Sequence, residues 1–286
     1  MMHRTLLVIL LLLPAIGSEL QAAEDADLWP RWSVHDAQNP ARIDHRGWAA
    51  ILRTYIYTDE DGIHRFAYGE FSDDDHHKLD GYLVQMSQIK ISDYNRKVQR
   101  AYWINLYNAL TVREVLQAYP VDSILDISAD LLSSGPWDKE LIDVEGHALT
   151  LNDIEHRILR PVWHDARIHY ALNCAALGCP NLRTRVFTGS STERTLDRAA
   201  REFVNHARGA RVINGKLQVS SLYIWYIDDF GGDDAGVIRH LQQYAYGELA
   251  NYLREATTID NHSYDWRLNS LSGANNAKPV HGRVGS

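Results

Sequence analysis

The sequence has only two cysteines, Cys174 and Cys179, in 286 residues, too few for a disulfide framework at this size. The fold must therefore stand on its core. There is no excess of basic charge. With 29 Lys and Arg against 37 Asp and Glu the formal net charge is −8, and no local basic patch interrupts that balance. Nothing here draws the chain to a phosphate backbone, so no nucleic-acid role is expected. Beyond Leu13 no stretch is long and apolar enough to cross a bilayer. Repeats, coiled-coil heptads and low-complexity core segments are also missing. A zinc site from the two cysteines with His164 or His169 lacks a second pair at standard spacing. His76 and His77 are adjacent on an expected helix and do not share a face. No metal and no cofactor is expected.

What is present is ordinary globular material. A composition of 45% hydrophobic and 23% charged residues supports a real core, and the length suggests one domain, or one with an appendage. His3 and Arg4 precede the apolar run Leu6–Leu13, which is broken by Pro14, Gly17 and Ser18 and followed by Ala22-Ala23. That order predicts a signal peptide over 1–23, with an uncleaved anchor as the alternative. The mature chain is expected to be periplasmic or secreted, with no stable membrane insertion after cleavage.

Hydrophobic spacing predicts helices over Ile43–Ile56, from Ser72 onward, from Ser92-Asp93 to Tyr119-Pro120, from Thr150, from Ser191 or Thr192 to Ala207, and from Asp233. Hairpins are expected over Leu141–Leu149 and around Asn214-Gly215. A strand is expected from Ile168 and another over Tyr264–Leu268. Residues 27–90 read as an N-terminal helical part, 91–269 as the core of the same domain, and 270–286 as a disordered tail. The class expected is α+β, a helical part packed on a small, mostly antiparallel sheet.

The chemistry concentrates in Ile168–Pro180, which holds both cysteines. A thiol where a strand gives out, followed by small residues, can sit at a helix N-terminus that lowers its pKa. It then needs a base. If the stretch is a strand, His169 lies about 16 Å from Cys174 and on the opposite face. His156 is the better candidate. On a helical wheel its neighbour Glu155 falls inside the buried arc of Leu151, Ile154, Ile158 and Leu159, while Arg157 and Arg160 face outward. Glu155, His156 and Cys174 would make an orienter, base and nucleophile set. A Cys174–Cys179 disulfide is the competing reading, and the residues leave both open. Asn105 and Asn108, three apart on the most apolar helix, either hold neighbouring backbone in place or stand near a reaction centre.

Three motifs carry a resemblance. They are Tyr102–Thr111 (YWINLYNALT), Leu151–Arg160 (LNDIEHRILR), and His169–Cys174 (HYALNC) with Cys179-Pro180. Together they resemble the DUF547 family, a domain of unknown function, over roughly residues 90 to 230. The family has been likened to papain-type cysteine peptidases, with a glutamate, a histidine and a cysteine as the proposed triad. The resemblance thus implies a papain-like arrangement, with Glu155, His156 and Cys174 catalytic and a peptide or protein as substrate. The rival expectation is a non-catalytic binding domain with the cysteines bonded and an aromatic contact surface.

Overall fold

The structure, a computed structural model, describes residues 25–127 and 135–271, with the backbone of 278–279. The expected signal peptide, the loop serines Ser133 and Ser134, and most of the expected tail lie outside the described residues.

The first helix, α1 (Arg46–Tyr55), buries Trp48, Ile51, Leu52 and Tyr55, the stripe its spacing predicts. Strands β1 (Ile56–Thr58) and β2 (His64–Phe66) come next as an antiparallel pair, and the backbone of Lys278–Pro279 joins β1. Ser72 caps α2 (Asp73–Ser87), accepting the Asp75 N–H at 3.2 Å above a first turn of three aspartates. The central helix α3 (Arg96–Ala118) is buried nearly all round. It begins later than its sequence suggests. A short 3-10 turn occupies Ile91–Asp93, and Asn95 is the cap, accepting from Val98 N–H at 3.2 Å.

A hairpin of β3 (Ile142–Val144) and β4 (His147–Leu149) turns on Glu145 and Gly146, both at positive φ, as a two-residue hairpin loop requires. Next come the π-helix Asp153–Leu159, α4 (Arg160–Trp163) and α5 (Thr192–Val204). Strands β5 (Ala210–Ile213) and β6 (Lys216–Ser220) form the hairpin expected around Asn214-Gly215. The short α6 (Leu222–Trp225), then α7 (Asp234–Tyr244) and α8 (Gly247–Leu253), complete the helices. Strand β7 (Asn261–Ser263) pairs parallel to β6. The class is α+β, with the strands shared among three small sheets rather than gathered in one.

Two expected strands are not formed. Tyr264–Leu268 makes only isolated bridges, Arg267 to Ser123 and Leu268 to Ala176. The Asp265 carboxylate takes the Arg267 backbone N–H at 3.1 Å, a local bond that competes with a ladder. The run from Ile168 is also not extended. Ala166–Tyr170 is a 3-10 turn, started by Asp165, whose carboxylate accepts the Arg167 N–H at 3.0 Å. A short apolar run does not by itself tell strand from buried turn. This one is apolar because it lies between two cores. Ile168, Ala171 and Leu172 belong to the large core around α1, α2 and α3, while Tyr170 belongs to a second core of α5, α7, β5 and β6.

Candidate functional site

From Ile168 to Leu182, Cys174 is the one residue that is not buried. Its loop is held by two amides of α3. Asn108 donates to Ala171 O at 2.9 Å and accepts from Asn173 N–H at 2.9 Å. Asn105, one turn earlier, does the same to Phe187, at 2.8 and 3.0 Å. The backbone-holding reading of these two amides is therefore the one seen. It also places Asn108 one residue from the cysteine. Asn173 closes the loop from within, donating to Pro180 O at 2.8 Å and accepting from Ala175 N–H at 3.0 Å.

Cys174 is bonded to Cys179, with Cα atoms 6.2 Å apart. It does not stand at a helix N-terminus, because the chain after it continues as turn and bridge. The Tyr264 hydroxyl lies 3.0 Å from each sulfur. Among the described residues no hydrogen bond joins Cys174 to an imidazole or to Glu155.

Glu155 and His156 lie on the π-helix, which is preceded by a capping box in which Thr150 and Asp153 satisfy each other's N–H groups at 3.0 and 2.9 Å. Single π turns are rare and often mark functional sites. Here the wider turn explains an error of the helical wheel. The N–H of Arg160 bonds to Glu155 O, five residues back, so Arg160 is carried inward and buried instead of facing out. Its guanidinium donates to His156 Nδ1 at 2.9 Å and to Asp229 at 2.6 Å.

Glu155 is buried as its sequence position predicts, but its imidazole partner is His169, not His156. His169 Nδ1 lies 3.6 Å from Glu155 and Nε2 lies 2.6 Å from Asp229. His169 reaches Glu155 because Ala166–Tyr170 is a 3-10 turn and not the expected strand. The hydroxyls of Tyr107 and Tyr226 also interact with the Glu155 carboxylate, and Tyr226 packs its ring 4.0 Å from that of His169.

Electrostatics sorts these groups. Burial opposes ionisation of Glu155, yet the His169 hydrogen bond and the charges of His156, His169 and Arg160 bring its pKa down to about 2. Burial would strip the proton from His169, but Asp229 and Glu155 hold it on above the ordinary imidazole range. Burial pushes His156 the other way, into the neutral form, and Arg160 reinforces this. Because a guanidinium only donates, the lone pair of neutral His156 sits on Nδ1, and its Nε2 carries the hydrogen. The cluster thus holds two carboxylates, an imidazolium and a neutral ring that can donate.

Residues 91–204 match the family model described as "Protein of unknown function, DUF547". This stretch is a DUF547 domain. No curated protein and no solved structure matches the chain. The DUF547 match includes Glu155, His156, His169 and Cys174 but stops short of Asp229 and Tyr264, which complete the network from the C-terminal side. The sequence reading missed both. Asp229 lies outside all three motifs and carried no periodic signal. Tyr264 is 90 residues from Cys174 and gave no local signal. Among the described residues no group of three or more His, Cys, Asp and Glu is placed to hold a metal ion, and no helix is long and apolar enough to cross a membrane. A cleft of about 350 Å³ lies at the N-terminal end of α3, between Arg42, Lys97 and Ser190, and none of the candidate site residues line it.

Proposed function

We propose that this DUF547 protein is an exported hydrolase of peptide or other amide bonds, periplasmic or secreted, with Cys174 as nucleophile once its bond to Cys179 is reduced. The observation that carries the reading is the partial exposure of Cys174 alone in an otherwise buried stretch. Its neighbour supports it too, since the Tyr264 hydroxyl beside the sulfur feels the Glu155 charge and so links the thiol to the titratable cluster.

In this reading the Cys174 thiolate attacks the carbonyl carbon, the C–N bond breaks, and the amine leaves with a proton returned by His156. Water then hydrolyses the thioester. For His156 to take up the thiol proton, Arg160 must release Nδ1, and Asp229 at 2.6 Å is the partner that keeps the freed guanidinium paired. Glu155 orients the cluster through His169. The test is alkylation of Cys174 by iodoacetamide across pH in reduced Cys179→Ser protein, alongside hydrolysis of a labelled protein substrate. A reactivity midpoint well below the ordinary thiol value of about 8.5, lost in His156→Gln, supports the reading. A midpoint at that ordinary value, with no hydrolysis, removes it.

The closed disulfide favours a second reading, a non-catalytic binding domain. In it Glu155, His156, His169 and Asp229 are a structural network, and the half-buried Trp225 and Trp266, stacked 5.5 Å apart beside Tyr264, supply the contact surface. A disulfide that survives mild reduction in the folded protein, with no hydrolysis at any redox state, supports this alternative.

A further inference from the structure

The two sulfurs have unlike surroundings. Cys179 is 2% exposed, whereas Cys174 reaches solvent. Cys179 Sγ alone also receives the Cys174 backbone N–H, at 2.9 Å, while the Tyr264 hydroxyl lies 3.0 Å from both sulfurs. Donors placed on one sulfur stabilise negative charge there, and an exchange reaction is faster when the departing thiolate is the stabilised one. Access and electrostatics therefore agree on direction. An incoming thiolate meets Cys174, and Cys179 is the sulfur prepared to leave.

The loop does not depend on the bond for its shape. Leu177 N–H and Gly178 N–H donate to Arg267 O and Asp265 O, each at 2.8 Å, and Asn269 N–H donates to Ala175 O at 2.8 Å. The Asn108 and Asn173 bonds hold the same segment. A cross-link that closes so short a loop also removes little freedom from the unfolded chain. The bond can open without releasing the residues around it, and Cys179 stays in place to close it again.

We propose that Cys174–Cys179 is a directional thiol-exchange site, in which a small-molecule thiol forms a mixed disulfide at Cys174 and Cys179 acts as the resolving thiolate. The thiolate RS⁻ attacks Cys174 Sγ, the S–S bond between the cysteines breaks, and its electron pair leaves on Cys179 under the Cys174 N–H and the Tyr264 hydroxyl. In the reverse step Cys179 attacks Cys174 and expels RS⁻. A second RS⁻ that attacks the sulfur of the bound R group releases RSSR and leaves the Cys174 thiolate free. As regulation of the nucleophile this rests on the hydrolase reading, but the exchange chemistry itself does not.

The test uses the full chain with reduced glutathione as the probe, quenched by iodoacetamide and read by peptide mass mapping. The expected major half-opened species carries glutathione on Cys174 and the alkyl group on Cys179, at least about tenfold over the reverse arrangement, as a large difference in attack and departure requires. Tyr264→Phe is expected to slow opening about threefold or more while Cys174 remains the site of attack. Equal labelling of the two sulfurs, attack at Cys179, or opening only after denaturation overturns the proposal. Hydrolysis by reduced Cys179→Ser is scored separately. Directional exchange without hydrolysis leaves this inference standing and removes the hydrolase reading, and hydrolysis with non-directional exchange does the converse.

Discussion

Both ring nitrogens of the buried His169 face carboxylates, the buried Glu155 at 3.6 Å and the half-buried Asp229 at 2.6 Å, whereas Cys174 is half-buried beside one hydroxyl and its bonded partner. The two regions are linked through Tyr264 and Glu155. One is a saturated set of charges whose members fix each other's protonation. The other is the place where a reagent can arrive. Saturation serves stability, because a buried charge without a partner is strongly disfavoured, and it also removes the lone pairs that proton transfer needs. In this protein, the buried pair of Glu155 and His169 is therefore not what an incoming molecule meets first.

The largest effect on this contrast should come from Glu155→Gln. It leaves the His169 imidazolium with Asp229 alone and costs about 3–5 kcal/mol, the usual penalty for breaking a buried ion pair. Urea unfolding with intact far-UV circular dichroism is the measurement. Asn108→Ala comes next. It strips the buried carbonyl of Ala171 and the N–H of Asn173 of their partner, at about 2–3 kcal/mol, and speeds protease cutting near Cys174.

The pH dependence sharpens the comparison from the charged side. Held protonated above its ordinary 6.5, His169 contributes stability in full below that value and loses it as pH rises through its raised folded value. His45, buried and lowered from 6.5 to about 4, works in the opposite sense, and stability is lost as pH falls from 6.5 through that range. Glu155 adds its share above 4.5 and gives it up only on approach to about 2. Urea midpoints should thus peak near neutrality. Asp229→Asn should flatten the alkaline decline, leave in place the part of the acid limb set by His45 between 6.5 and about 4, and weaken the limb below that, where the lowered Asp229 carboxylate contributes. Tyr264→Phe is expected to shift stability by less than about 1 kcal/mol, since it removes a single neutral hydrogen bond, so its main effect is on the sulfurs. Arg46→Ala, at a surface pair with Asp44, should leave the melting temperature unchanged.

Much of the fold was legible in the residues. The burial of Glu155 among its apolar neighbours, the backbone-holding role open to the amides of α3, and both hairpins all follow from local pattern. Arg160 was misread because a wheel at 100° per residue assumes an α-helix, and a π turn rotates every residue after it. His169 was set aside because an apolar run between two cores looks like a strand in a one-dimensional reading. The chain alone therefore determined the apolar stripes of the helices, with Glu155 among them, and which cysteines can meet, because periodicity and proximity in sequence are local properties. Only the tertiary structure decided that Glu155 pairs with His169, that Asp229 completes that pair from 60 residues away, and that Tyr264 guards the sulfurs. Those choices depend on where distant backbone segments come to rest, which no local spacing encodes.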